Sequence, residues 1–259
     1  MTDPILLAID DTVATVTINN PAKMNALSLD AWGALGRTMT DLSANMDLRC
    51  VIVRGAGDRA FSAGADISEF PDIRADAAQA KAYGAIVART LDAITGCIHP
   101  TVAAIQGACT GGGLEVACGC DLRITNASGR FGVPINKLGH AFAYAEMQTA
   151  LAAAGRNLIL ELILEGRIMD APEAFSRGLV NRLFNDDEFD TEIQATQDRI
   201  ASGAPLVNRS TKKFLRRLMD HAPLSEAEIN EGYDLCDSND YAEGLRAFLA
   251  KDKPTFEGK

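Results

Sequence analysis

Phe61-Ser62-Ala63-Gly64-Ala65-Asp66-Ile67 and, farther along, Gly107-Ala108-Cys109-Thr110-Gly111-Gly112-Gly113-Leu114-Glu115 are two glycine-bearing stretches in one chain of 259 residues. Each follows a β-like run, Val51-Ile52-Val53 in the first case and Thr101-Val102-Ala103-Ala104-Ile105 in the second. The second stretch opens an apolar helical segment with a carboxylate, Glu115, in its first turn. N–H groups at a helix start have no acceptor inside the helix and form a ready anion site. Two such donors aimed at one carbonyl oxygen make an oxyanion hole, in which each donor is worth about 3 to 4 kcal/mol.

The glycine turn also fits a loose dinucleotide-binding fingerprint, because it follows a strand and opens a helix. A short-chain dehydrogenase would carry that turn near its N-terminus and a Tyr-x-x-x-Lys pair beyond it. Here the turn begins at Gly107, and none of Tyr83, Tyr144, Tyr233 or Tyr241 has Lys four residues later. A tight turn without a ligand is the plain alternative. The Ala-Gly-Ala-Asp segment argues against it by supplying a matching second half.

Outward from these turns, residues 5–9 and 12–18 read as a β-hairpin around Asp10-Asp11. Ser28 is placed to cap a helix running to about residue 45, and residues 49–54 return as a strand. Apolar spacing predicts helix over 75–96, strand over 101–106, helix over 113–118 and strand over 122–125. Helices follow over 143–154, 157–165 and 171–178, then a strand over 179–184. The remainder reads as helix over 187–202, 206–219, 225–236 and 241–250.

Composition sets limits on function. Hydrophobic residues make up 47% of the chain, enough for a large core. The formal net charge of −10 disfavours nucleic acid and anionic membrane as partners, so an anionic ligand needs local basic groups. Six cysteines, without a basic and apolar leader ahead of them, are read as free thiols in a reduced, cytoplasmic protein. Cys118-Gly-Cys120 has neither metal-binding spacing nor nearby histidines, so packing is the expected role and no metal is implied.

Several motifs together resemble the crotonase superfamily, the enoyl-CoA hydratase/isomerase group. They are Asn20-Pro21-Ala22-Lys23-Met24-Asn25-Ala26-Leu27, the Phe61–Ile67 segment, the Gly-Gly-Gly-Leu-Glu turn followed by Cys120-Asp121-Leu122-Arg123, and Phe131-Gly132. Gly244-Leu245-Arg246-Ala247-Phe248 running on to Lys253-Pro254-Thr255-Phe256 matches the family's closing pattern. The likeness spans essentially the whole chain. It implies an α/β fold, a spiral of ββα units, with residues 1–200 as the thioester-binding core. Residues 201–259 are implied to be a helical region that builds a homotrimer or a dimer of trimers.

The resemblance also assigns residues. Backbone N–H groups of Ala65 and Gly112 are the expected oxyanion donors, with Gly64, Gly111 and Gly113 allowing the chains to approach. Glu115 falls on one of the two hydratase glutamates, which would hold and deprotonate a water or pass a proton to Cα. Lys23, Asn25, Ala26, Ala63 and Ile67 resemble segments that wrap adenine and pantetheine, and Lys23 and Lys253 are candidate phosphate partners. Asp66 is read either as a turn cap or as a ligand contact, and Asp121 as structural. Coenzyme A is implied as part of an acyl-CoA substrate, with no separate cofactor.

One departure bears on the chemistry. The second hydratase glutamate follows Phe-Gly-x-Pro, and in Phe131-Gly132-Val133-Pro134-Ile135 that place holds Ile135, which cannot move a proton. His140, Tyr144 and Glu146 are the nearby polar candidates. Without the second carboxylate, three thioester reactions stay open: hydration, decarboxylation of a malonyl-type thioester, and hydrolysis. The Pro-Ile-Asn-x-Leu-Gly run resembles methylmalonyl-CoA decarboxylases, which carry Tyr where this chain has Phe142. Isomerisation ranks lower, and a CoA-ester-binding subunit without turnover is the reading from another class. Residues of about 72–88 and 135–147 are expected to decide the acyl group.

Overall fold

The computed structural model describes residues 3–259. In chain order the elements are β1 (Ile5–Asp10), β2 (Val13–Ile18), α1 (Leu29–Ala44), β3 (Cys50–Gly55), β4 (Ala60–Ser62), α2 (Phe70–Ile73) and α3 (Ala77–Gly96). Then come β5 (Thr101–Ile105), β6 (Ala108–Thr110), α4 (Gly112–Gly119), β7 (Leu122–Asn126), β8 (Arg130–Gly132), α5 (Tyr144–Glu165), β9 (Met169–Asp170), α6 (Ala171–Ser176) and β10 (Arg182–Phe184). Four helices close the chain: α7 (Phe189–Ala201), α8 (Pro205–Leu218), α9 (Glu226–Asp234) and α10 (Asn239–Ala250).

The strands form two sheets, one ordered β1-β2-β3-β5-β7-β10 and one ordered β4-β6-β8-β9. β1 and β2 make the expected antiparallel hairpin, while β2, β3, β5, β7 and β10 run parallel. Each of β3, β5 and β7 is followed at once by a short strand of the second sheet and then by helix. Successive units therefore add one strand to each sheet, which is the ββα spiral that the resemblance implies.

β3 and β5 are buried on both faces, which explains their unbroken apolar runs. Val51, Val53, Ala103 and Ile105 face the main core, which includes Trp32, Leu35, Leu91 and Leu114 from α1, α3 and α4. Cys50, Ile52, Val102 and Ala104 face the other way, onto Phe189 and Ile193 of α7. Helix starts are fixed locally: Ser28 Oγ accepts from Ala31 N at 3.1 Å, and Asp76 caps α3 through Gln79 N at 2.8 Å. All eight residues of α4 are buried, so this helix carries its glycine-rich start into the middle of the molecule. Five cysteines are buried and Cys236 is exposed, all of them free. Among the described residues no helix is long and apolar enough to cross a membrane.

Candidate active site

The two glycine stretches meet because β4 and β6 are parallel neighbours, with Ala60 opposite Ala108 and Ser62 opposite Cys109. Past β4, Gly64 takes φ 100°, a conformation only glycine adopts freely. Leu27 N then donates to Gly64 O at 2.7 Å, and Asp66 N donates to Leu27 O at 2.8 Å. That parallel bridge turns the N–H of Ala65 away from Leu27. Past β6, Gly111 takes φ 50° and anchors its N–H on Gly132 O at 2.9 Å, so α4 starts with Gly112. As the first helical residue, Gly112 has no acceptor inside the helix.

Neither the Ala65 nor the Gly112 N–H donates to another atom among the described residues. The two segments touch: a Cβ built on Gly64 would sit 3.0 Å from Gly112 N, and one built on Gly112 would sit 3.5 Å from Ala65 N. Gly113 packs still closer, since its Cβ would lie 2.2 Å from Ser62 O. The glycines are there for approach, and the approach brings two free donors side by side.

These donors open onto a cavity of about 110 Å³. Ala63, Gly64, Ala65, Ile67, Gly111, Gly112, Glu115, Ile135 and His140 all line it. Glu115, one turn into α4, is buried, and its carboxylate makes no hydrogen bond among the described residues. Burial first, and the neighbouring Glu146 carboxylate second, push the Glu115 pKa well above its ordinary value, against a smaller pull from Arg74.

Glu146 reaches the same cavity from the first turn of α5. Its Oε2 accepts from Ala143 N at 2.5 Å, the returning half of a capping box whose other half is missing because Ala143 has no side-chain acceptor. Oε1 is left for the cavity. Ile135, in the 3-10 turn Pro134–Lys137, contributes only hydrocarbon to the wall. The position where a second glutamate was looked for is thus apolar, and a carboxylate enters from the next helix.

Further cavity residues carry polar groups, Arg74, Tyr83 and Trp32 among them. Arg74 caps the end of α2, lies 5.1 Å from the Phe70 ring centre and 5.3 Å from that of Tyr83, and meets His140 Nδ1 through Nη2 at 3.1 Å. Arginine can only donate, so Nδ1 accepts and the ring's proton sits on Nε2. The 3.1 Å approach of the same Nδ1 to Ala141 O is therefore a contact without a hydrogen bond. Tyr83 Oη and Trp32 Nε1 are buried without a partner among the described residues. Of the three cavity residues Arg74, Tyr83 and Trp32, none was singled out in the sequence as a site residue. Only the acyl-group segment 72–88 pointed towards Arg74 and Tyr83.

Other expected ligand contacts fall elsewhere. Asn25, in a left-handed conformation at φ 56°, is buried with its amide spent on Ala56 O and Ala60 O, so it holds β4 in place instead of facing the cavity. Ala26 is buried beneath the same loop. Lys23 reaches Asp66 Oδ2 at 2.7 Å and Ser68 Oγ at 3.0 Å. Asp66 caps the turn at Ile67–Glu69; burial would raise its pKa, but Lys23 and Ser68 outweigh that and hold it below the usual range. Tyr144 is exposed, Lys253 lies beyond α10 outside the cavity lining, and Asp121 accepts from Thr101 N and Oγ1 as a structural residue.

Comparisons with known proteins agree with this geometry. The family model for enoyl-CoA hydratase/isomerase matches residues 8–259. The chain is 34% identical over 257 residues to a protein of Mycobacterium bovis named a probable enoyl-CoA hydratase, covering 98% of each. It is 31% identical over 260 residues to a crotonyl-CoA hydratase of Syntrophomonas wolfei, again covering 98% of each. Among solved structures, an enoyl-CoA hydratase/carnithine racemase from Magnetospirillum magneticum superposes with a TM-score of 0.98 at 50% identity, over 100% of this chain and 97% of that one. With paired glycine turns, a ββα spiral and a match along nearly its whole length, the chain belongs to the enoyl-CoA hydratase/isomerase family.

Proposed function

We propose that the protein hydrates a short 2-enoyl-CoA to the 3-hydroxyacyl-CoA, using Glu115 and Glu146 as a carboxyl pair. The observation that carries this reading is the pair of unpartnered N–H groups, Ala65 and Gly112, set above a buried carboxyl group. The thioester oxygen accepts from both donors, which meet the charge that grows there as the enolate forms. Glu146, as carboxylate, takes a proton from a water whose oxygen attacks Cβ. Glu115, kept protonated by its surroundings, gives its proton to Cα. The enolate electrons form the new C–H bond, and a proton passing from Glu146 back to Glu115 restores the pair.

This division of labour rests on the burial that keeps Glu115 protonated, which fits it to act as the acid. It also ranks the alternatives. Decarboxylation needs no base, and a second buried carboxylate favours hydration over it. Coenzyme A enters as part of the substrate, without a separate cofactor.

Loss of the conjugated-thioester absorbance of crotonyl-CoA is the direct test. Glu115→Gln keeps shape but cannot give a proton, and is expected to lower turnover by at least about 100-fold while binding is retained. A wild-type protein that binds the thioester and leaves its absorbance unchanged would instead establish a non-catalytic CoA-ester-binding subunit.

A further inference from the structure

The cavity wall formed by α2, α3 and the segment before α5 carries a charge for which a hydrocarbon acyl chain has no use. Among the described residues Arg74 is in no ion pair within 4.0 Å. Of its five N–H donors, only one has a partner, His140. Yet the guanidinium is held in place: it lies over the rings of Phe70 and Tyr83, which are themselves fixed edge-on at 5.8 Å, and Phe70 meets His140 edge-on at 6.1 Å. A solvated arginine needs no such frame. Stacking on aromatic faces orients the fork for a planar acceptor.

The polar side chains beside Arg74 on this wall, His140 and Tyr83, can also donate. His140, with Nδ1 occupied, offers Nε2–H. Tyr83 Oη is buried and unpartnered, and burial raises its pKa, so the phenol keeps its proton. A wall made of donors matches a group that only accepts, and a carboxylate is such a group.

We infer that the cavity accepts a short 2-enoyl thioester whose acyl group ends in a carboxylate, and that Arg74 is the residue that recognises it. The inference rests on the thioester reading above and names its substrate class. Size limits the chain: the cavity of about 110 Å³ is smaller than the ~150 Å³ that holds a six-carbon ring, so only a short acyl group suits it. The competing role for Arg74 is as counter-charge to the Glu115 and Glu146 pair. That role makes a different prediction, because it is indifferent to what the acyl chain carries.

Saturated thioesters separate this inference from the question of turnover. Binding of glutaryl-CoA, which ends in a carboxylate, is compared by calorimetry with that of pentanoyl-CoA, which has the same chain length and no charge. Wild-type protein is expected to favour glutaryl-CoA by about 10- to 100-fold, the range for charge-assisted hydrogen bonds. In Arg74→Met that ratio should fall to near one, and Arg74→Lys should restore part of it, with thermal melts confirming that each variant folds. Equal affinity of the wild type for the two ligands overturns the inference. So does an Arg74→Met protein that weakens both alike and keeps the ratio, the signature of a counter-charge. In the hydration assay, glutaconyl-CoA should likewise be used in preference to 2-pentenoyl-CoA. If neither is hydrated while the binding ratio stands, it is the reaction assigned above that fails and the carboxylate site that survives.

Discussion

A carboxyl group buried without a hydrogen bond, as Glu115 is, works against the fold that holds it. Its pKa is raised in the folded protein, so from about pH 4.3 upward the folded state keeps a proton that the unfolded chain has released. Stability contributed by the protonated form is therefore lost as pH rises through that window. Glu115→Gln removes the titration and should melt at a higher temperature than the wild type at pH 8. The gain should be at least about 2 °C, the shift that ~1 kcal/mol gives a chain of this size, and it should shrink towards pH 4.5. Equal melting temperatures across pH 4.5 to 8 would show that the site does not strain the fold. Glu115 was legible in the sequence because its position in the first turn after Gly112 ties it to the donor. Glu146 was legible only as one of three polar candidates, since a Glu in the first turn of a helix reads equally well as a cap. Arg74 was legible only as one residue of the acyl-group segment 72–88, because the fold, not local spacing, brings Tyr83 and His140 to it.

Elements show the same division. Long helices and the apolar strands of the larger sheet were readable to within a few residues, Ser28 included, because periodicity and caps act locally. The smaller sheet was not, as strands of two or three residues carry no period at all. α5 is continuous only by its hydrogen bonding: Gly155 at φ 74° and ψ 162° breaks it into the two helices that the sequence suggested. Its N-terminus matters most for the chemistry, since the first turn aims Glu146. Because Ala143 is an exposed N-cap in an extended conformation, Ala143→Ser should complete the capping box and stabilise by ~0.5–1 kcal/mol, read from denaturant unfolding. Glu146→Gln can still accept from Ala143 N, so its melting temperature should stay within about 2 °C of wild type while hydration drops by more than ~100-fold. An active Glu146→Gln protein would leave Glu146 as a cap alone.

Over the whole molecule, the part beyond residue 200 is the least self-sufficient. Leu215, Leu218, Ile229, Phe248 and Leu249 are exposed on α8, α9 and α10 of a single chain, more large apolar groups than a solvated surface usually gathers. We propose that these helices are covered by other copies of the chain in a trimer or a dimer of trimers. Sedimentation at micromolar concentration should then give three or six times the 27.6 kDa of one chain, and Phe248→Glu should shift it towards the monomer. A wild-type monomer at that concentration would refute the assembly. The spiral itself was implied by resemblance in the sequence, and the twin sheets give its physical reason, as each ββα unit leaves strand edges that the next one pairs.

The thiols carry a consequence of a different kind. Burial pushes Cys50 and Cys120 up to about 12 and Cys118 to about 11, so these groups stay inert towards alkylating reagents until the chain opens. Cys236 lies in the short turn Leu235–Asp237 between α9 and α10 and is the one thiol a reagent meets directly. A single maleimide time course thus contains two clocks in one spectrum: the fast modification of exposed Cys236 gives the reagent's own rate, and the slow modification of the other five times global unfolding.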